Sequence, residues 1–157
     1  MSSAQLLIVD DEERFLKTTT TVMKKRGITP QTASNGEDAL RIIEKIPVDV
    51  VILDIKMPGM DGIETLRRIK EHHPLVEVIM LTGHGSFDLA VTGMRLGAFD
   101  YLMKPCDIPE LLEKVEDAYA KKQAMAERKR ANGENGTTPR AMAVFDSQDA
   151  VANNEKE

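Results

Sequence analysis

Val50-Val51-Ile52-Leu53 is apolar at every position and stops at a carboxylate, Asp54. Leu6-Leu7-Ile8-Val9 has the same form and stops at two carboxylates, Asp10 and Asp11. Short runs with no polar side chain suit strands covered on both faces, as in a parallel sheet. In open parallel sheets the functional groups gather at the carboxyl ends of the strands. The three acids are therefore expected to meet in one crevice. Carboxylates that close repel one another, and the arrangement needs a neutralising cation. Hard oxygen donors of this kind suit Mg²⁺.

Two more runs follow the pattern. Val78-Ile79-Met80-Leu81 ends at Thr82, and Tyr101-Leu102-Met103 ends at Lys104-Pro105. Helical stretches separate the strands. The first, about residues 12–26, puts Phe15, Thr19, Val22 and Met23 on one face and stops at Gly27. A short strand over 29–33 carries Pro30, which suggests a sheet edge. Asn35 is placed to cap a helix with Leu40, Ile43 and Ile46 inward, and Pro47 ends it. Asp61 is placed to cap a helix with Ile63, Leu66 and Ile69 inward. Ser86 is placed to cap one containing Ala90, Val91 and Met94. Asp107-Ile-Pro-Glu110 opens the last helix, whose buried stripe is Leu111, Leu112, Val115, Ala118 and Tyr119. Five alternating strand–helix units predict an α/β fold, a doubly wound parallel sheet with helices on both faces.

Asp10-Asp11, Asp54, Thr82 and Lys104-Pro105, in this order and spacing, resemble the receiver domain of two-component response regulators. The resemblance runs from about Gln5 to about Lys122. It implies the flavodoxin-like strand order 2-1-3-4-5. It also implies that Asp54 accepts a phosphoryl group and that the reaction needs Mg²⁺. Asp11 and Asp54 would bind the metal directly, the Lys56 carbonyl would add a ligand, and Asp10 would act through water. Lys104 would pair with a phosphoryl oxygen, Thr82 would donate to another, and Thr82 and Tyr101 would form the switch. Pro105 would follow a cis bond. Lys56 and His84 would flank the path of the hydrolytic water. The phosphoryl donor would be a sensor histidine kinase or a histidine phosphotransfer protein, and the output a contact with a downstream protein. The chain is then a phosphoacceptor switch, not an enzyme with a separate substrate, and a monomer or a phosphorylation-dependent homodimer.

Bulk properties bound the alternatives. The 157 residues suit one domain plus an extension. Domain boundaries are expected at 1–130 for the receiver and 131–157 for a flexible tail, where turn formers replace the apolar period. The net charge of −5 leaves no basic excess for phosphate neutralisation, so direct DNA binding is not expected. The single cysteine, Cys106, excludes an intramolecular disulfide and fits a reducing compartment. The start shows no basic segment before a long apolar core, and no run is long enough to span a membrane. A cytoplasmic stand-alone receiver is the resulting expectation. Two rivals fit less well. A haloacid-dehalogenase-like phosphatase needs a second aspartate two positions after its nucleophile, where this chain has Lys56. A flavodoxin-like cofactor binder needs a phosphate-cradling loop after the first strand, where this chain has Asp-Asp-Glu-Glu.

Overall fold

The computed structural model describes residues 4–83 and 85–135. Five strands and five helices alternate: β1 (Leu6–Val9), α1 (Glu13–Lys25), β2 (Gln31–Ala33), α2 (Gly36–Lys45), β3 (Val50–Asp54), α3 (Gly62–His72), β4 (Glu77–Thr82), α4 (Phe87–Arg95), β5 (Asp100–Met103) and α5 (Ile108–Asn135). The strands are all parallel in the order β2-β1-β3-β4-β5. This is the doubly wound, flavodoxin-like sheet expected from the sequence. β1, β3 and β4 are buried along their whole length, which is why they contain no alternation of polar and apolar residues. β2 lies at the edge, with Gln31 and Thr32 exposed.

Alternate residues of each strand feed two cores. Leu7, Val9, Val51, Leu53, Val78 and Met80 pack with α2, α3 and α4 on one face. Leu6, Ile8, Val50, Ile52, Ile79 and Leu81 pack with α1 and α5 on the other. The caps behave as their chemistry directs at two helices. Asn35 accepts from the Asp38 N–H at 2.8 Å and Asp61 from the Glu64 N–H at 2.9 Å. Ser86 does not cap α4; its hydroxyl is buried and makes no hydrogen bond. Gly27 ends α1 at φ 82°, a conformation that costs a residue with a Cβ.

One inward assignment differs from the sequence reading, and α4 buries a side without its large apolar residues. Ile46 is exposed, and Ala39 with Ile43 carries the inner face of α2. Val91 and Met94 are exposed, and Ala90 with Gly93 faces the sheet. A Cβ on Gly93 would sit 2.1 Å from the Met80 sulfur, so α4 turns its smallest side inward because only that side fits.

The chain divides into two units, residues 1–122 and 123–157. α5 continues through Asn135, five residues past the boundary drawn from composition. The rest of the expected tail, residues 136–157, lies outside the described residues, as does His84.

Candidate functional site

Asp10 follows β1 and Asp54 ends β3, and these two strands are neighbours in the sheet. Their registered carboxyl ends bring the acids together with Asp11. One carboxylate oxygen from each of the three lies within 4.8 Å of the others. Asp10 is fully buried, Asp54 is 8% exposed and Asp11 faces solvent. The main chain holds the first acid in place: Asp10 accepts a hydrogen bond from the Glu12 N–H at 2.9 Å.

Lys104 reaches the same crevice from the end of β5, two strands away from β3. Its Nζ lies 2.5 Å from Asp10 Oδ2, 3.8 Å from Asp54 Oδ1 and 3.9 Å from Glu12 Oε1. It also stands 4.5 Å from the centroid of the Phe15 ring. The peptide bond between Lys104 and Pro105 is cis. Thr82 ends β4 and is buried; its hydroxyl donates to the Leu102 carbonyl at 3.3 Å. Tyr101 lies on β5, half-buried against the core that contains Met80 and Ala90. Lys56 is exposed in the loop directly after β3, and its N–H bonds the Asp54 carboxylate.

The electrostatics are unbalanced. Burial, and next the charge of Asp10, raises the Asp54 pKa to about 6, with Asp11 adding to the rise while Lys104 and the Lys56 N–H oppose it. Burial works against the charge of Lys104, but the hydrogen bond to Asp10 and the charges of Asp54, Asp10 and Glu12 outweigh it and hold the ammonium above its ordinary value. Lys104 therefore faces three acids, Asp10, Asp54 and Glu12, with Asp11 beside them in the cluster. The donor set, three carboxylate oxygens beside an exposed loop, fits a hard dication such as Mg²⁺.

Every site residue proposed from the sequence and described in the structure thus converges at one end of the sheet, with Tyr101 two residues behind on β5. The sequence reading missed Glu12 and Phe15 as neighbours of Lys104. It also missed a third buried acid, Glu77, at the opposite end of β4. Glu77 is 3% exposed and lies 3.6 Å from Lys121 and 3.9 Å from Lys70.

The comparisons with known proteins agree with this geometry. The family model described as the response regulator receiver domain matches residues 6–116. The NtrC transcriptional regulator of Escherichia coli K12 is 46% identical over 92 residues, covering 59% of this chain and 20% of its own length. An NtrX-like response regulator of Rickettsia bellii is 41% identical over 114 residues, covering 71% of this chain and 24% of its own length. The chain therefore spans about a fifth to a quarter of these relatives. Among solved structures, the receiver domain of NtrX from Brucella abortus aligns with a TM-score of 0.70 at 33% identity, over 74% of this chain and 98% of that one. A receiver domain protein from Clostridium thermocellum aligns with a TM-score of 0.74 at 38% identity, over 78% and 98%. Two independent routes, the site built at the strand ends and the matches along the sequence, lead to one conclusion: the chain belongs to the response regulator receiver domain family.

Proposed function

We propose that this receiver accepts a phosphoryl group on Asp54 from a phosphohistidine on a sensor histidine kinase or histidine phosphotransfer protein, and signals through a protein partner. The observation that carries the reading is the convergence of Asp10, Asp11, Asp54 and Lys104 at one end of the sheet. Mg²⁺, held by Asp10, Asp11, Asp54 and the Lys56 carbonyl, would supply the positive charge that phosphoryl transfer requires. Asp54 would attack the phosphorus with a carboxylate oxygen, and the histidine nitrogen would leave. Lys104 lies 3.8 Å from that carboxylate and would neutralise a phosphoryl oxygen.

Thr82 and Tyr101 would couple the charge to the far side of β5. The Thr82 hydroxyl bonds the Leu102 backbone in the structure; turning it toward a phosphoryl oxygen breaks that bond beside Tyr101. The result is a two-state shift biased by a local charge. The chain would act as a self-phosphorylating switch in the cytoplasm rather than as an enzyme turning over a separate substrate. Among the described residues no helix is long and apolar enough to cross a membrane. Incubation with acetyl phosphate and Mg²⁺ tests the reading. Mass spectrometry is expected to find one base-labile phosphoryl group, on Asp54. Labelling that is absent, located elsewhere or indifferent to chelation overturns it.

A further inference from the structure

Lys104 carries a long, flexible stem, and a phosphoryl-binding role asks its ammonium to stay at one place. Freezing such a side chain is costly in rotamer entropy. Its near partners in the structure are of two kinds. Asp10, Asp54 and Glu12 attract the ammonium as full negative charges. Phe15, in the first turn of α1, offers its ring 4.5 Å away. The two kinds differ in what they do to the reaction. A carboxylate bonded to the ammonium occupies one of its donors and adds repulsion against an incoming phosphoryl group. An aromatic face attracts a cation through its quadrupole and carries no net charge and no lone pair. It can hold the ammonium while leaving the N–H donors free to turn to a phosphoryl oxygen.

We infer that Phe15 is a positioning residue for phosphoryl transfer: its ring retains the Lys104 ammonium beside Asp54, and would do so with Asp10 engaged by a bound metal. The inference rests on Asp54 being the phosphoacceptor. The ring is itself steadied, because Phe15 is half-buried and packs against the core formed with α5. Its neighbour in sequence, Leu16, is the fully core-facing residue of that turn, so the fold does not depend on Phe15 alone.

The test compares Phe15→Tyr, which keeps the ring, with Phe15→Leu, which keeps the apolar contact without it. Phosphorylation by acetyl phosphate is followed at saturating Mg²⁺, together with the affinity for beryllofluoride and the NMR shifts of the Lys104 ε-methylene protons. Phe15→Leu is expected to lower the phosphorylation rate and the beryllofluoride affinity about three- to tenfold, the range of a partly desolvated cation–π contact. Mg²⁺ affinity should stay within about twofold, since a ring adds no metal ligand. The upfield ring-current shift of the ε-protons should vanish in Phe15→Leu and persist in Phe15→Tyr. Phe15→Tyr should restore the rate, which a merely space-filling role does not require. A wild-type chain that takes no label removes the Asp54 reading itself. A wild-type chain that labels, with Phe15→Leu labelling equally fast or Phe15→Tyr as slow as Phe15→Leu, overturns the role of Phe15 and leaves Asp54 standing. Should Phe15→Leu fail to fold, Phe15→Met, which fills the same gap with a flexible stem, carries the same comparison.

Discussion

The two ends of the sheet bury acids under opposite rules. At the amino end, Glu77 starts β4 and Asp49 precedes β3. Glu77 lies between Lys70 and Lys121, and Asp49 takes the Lys122 ammonium and the Gln5 N–H. Each acid has its cation, brought in by α3 or α5. At the carboxyl end, Asp10, Asp54 and Glu12 share Lys104, with Asp11 beside the other two aspartates. A buried charge without a partner is expensive, and the protein tolerates it only where the imbalance is used. The contrast separates two uses of charge within one sheet: the balanced end ties α5 and α3 to the strands, and the acid-rich end carries the chemistry proposed for Asp54.

Asp54→Asn breaks this contrast most sharply. The substitution is nearly isosteric and removes the proposed nucleophile, so labelling by acetyl phosphate should fall to nothing on mass spectrometry. Its effect on stability has the opposite sign. The Asp54 carboxyl is raised from 3.8 to about 6 by burial and by Asp10. A carboxyl raised in the folded state loses stability as pH climbs from the unfolded value toward the folded one. One pKa unit is worth about 1.4 kcal/mol, so wild type should be about 3 kcal/mol less stable than Asp54→Asn above pH 6 without metal. The gap should close below about pH 4, where both side chains are neutral, and narrow when Mg²⁺ binds the wild type. Denaturant melts at pH 4 and 7.5, with and without Mg²⁺, check all three signs. A metal-free gap that widens on acidification contradicts the electrostatic account.

Glu77→Gln does the reverse at the other end. It leaves Lys70 and Lys121 facing a neutral amide. Burial already lowers the Lys70 pKa, and the Glu77 charge works against that depression. We expect a loss of about 2 kcal/mol, less than for fully buried pairs because Lys121 is half-exposed. Phosphorylation should proceed at the wild-type rate. A variant that loses labelling while remaining folded joins the two ends and ends the division drawn between them.

The acid-rich end was legible in the sequence, and the balanced end was not. Asp10, Asp11 and Asp54 interrupt strands that are otherwise wholly apolar, and a parallel sheet sends such interruptions to one edge. Thr82 and Lys104 sit at matching interruptions. Glu77 begins its strand instead, where a glutamate reads as solvated. Its burial depends on lysines from α3 and α5, and no local pattern records that meeting. The same holds for Phe15 and Lys104, which lie far apart in sequence and touch through a ring face. Its place on α1 was readable from periodicity, but its orientation toward the lysine was not. On α4 the apolar residues leave the buried side open: Val91 and Met94 are exposed, while Ala90 and Gly93 are buried and a Cβ at Gly93 would meet Met80. Tight packing selects small side chains that a hydrophobic pattern does not weigh. The strand order came from the family resemblance, since spacing alone does not arrange five parallel strands.

The smallest expected effect tests how the acid-rich end speaks to the rest of the molecule. Thr82→Ala removes one hydrogen bond, from the hydroxyl to the Leu102 carbonyl at 3.3 Å. That bond is long, and β4 and β5 remain joined by the Lys104 N–H to the Thr82 carbonyl at 2.7 Å. Stability should change by no more than about 1 kcal/mol. Labelling should continue, because Asp54, the three-acid site and Lys104 are untouched. The response at a distance should shrink. Beryllofluoride with Mg²⁺ is expected to shift the amide resonances around Tyr101 in wild type, as the Thr82 hydroxyl leaves Leu102 for the phosphoryl mimic. In Thr82→Ala the mimic still binds, but no hydroxyl moves, so shifts near Asp54 should persist while those around Tyr101 fall by about half or more. A two-state element responds only as far as a ligand discriminates between its states. Equal shifts around Tyr101 in both proteins would show that the loop after Asp54, rather than Thr82, carries the signal to β5.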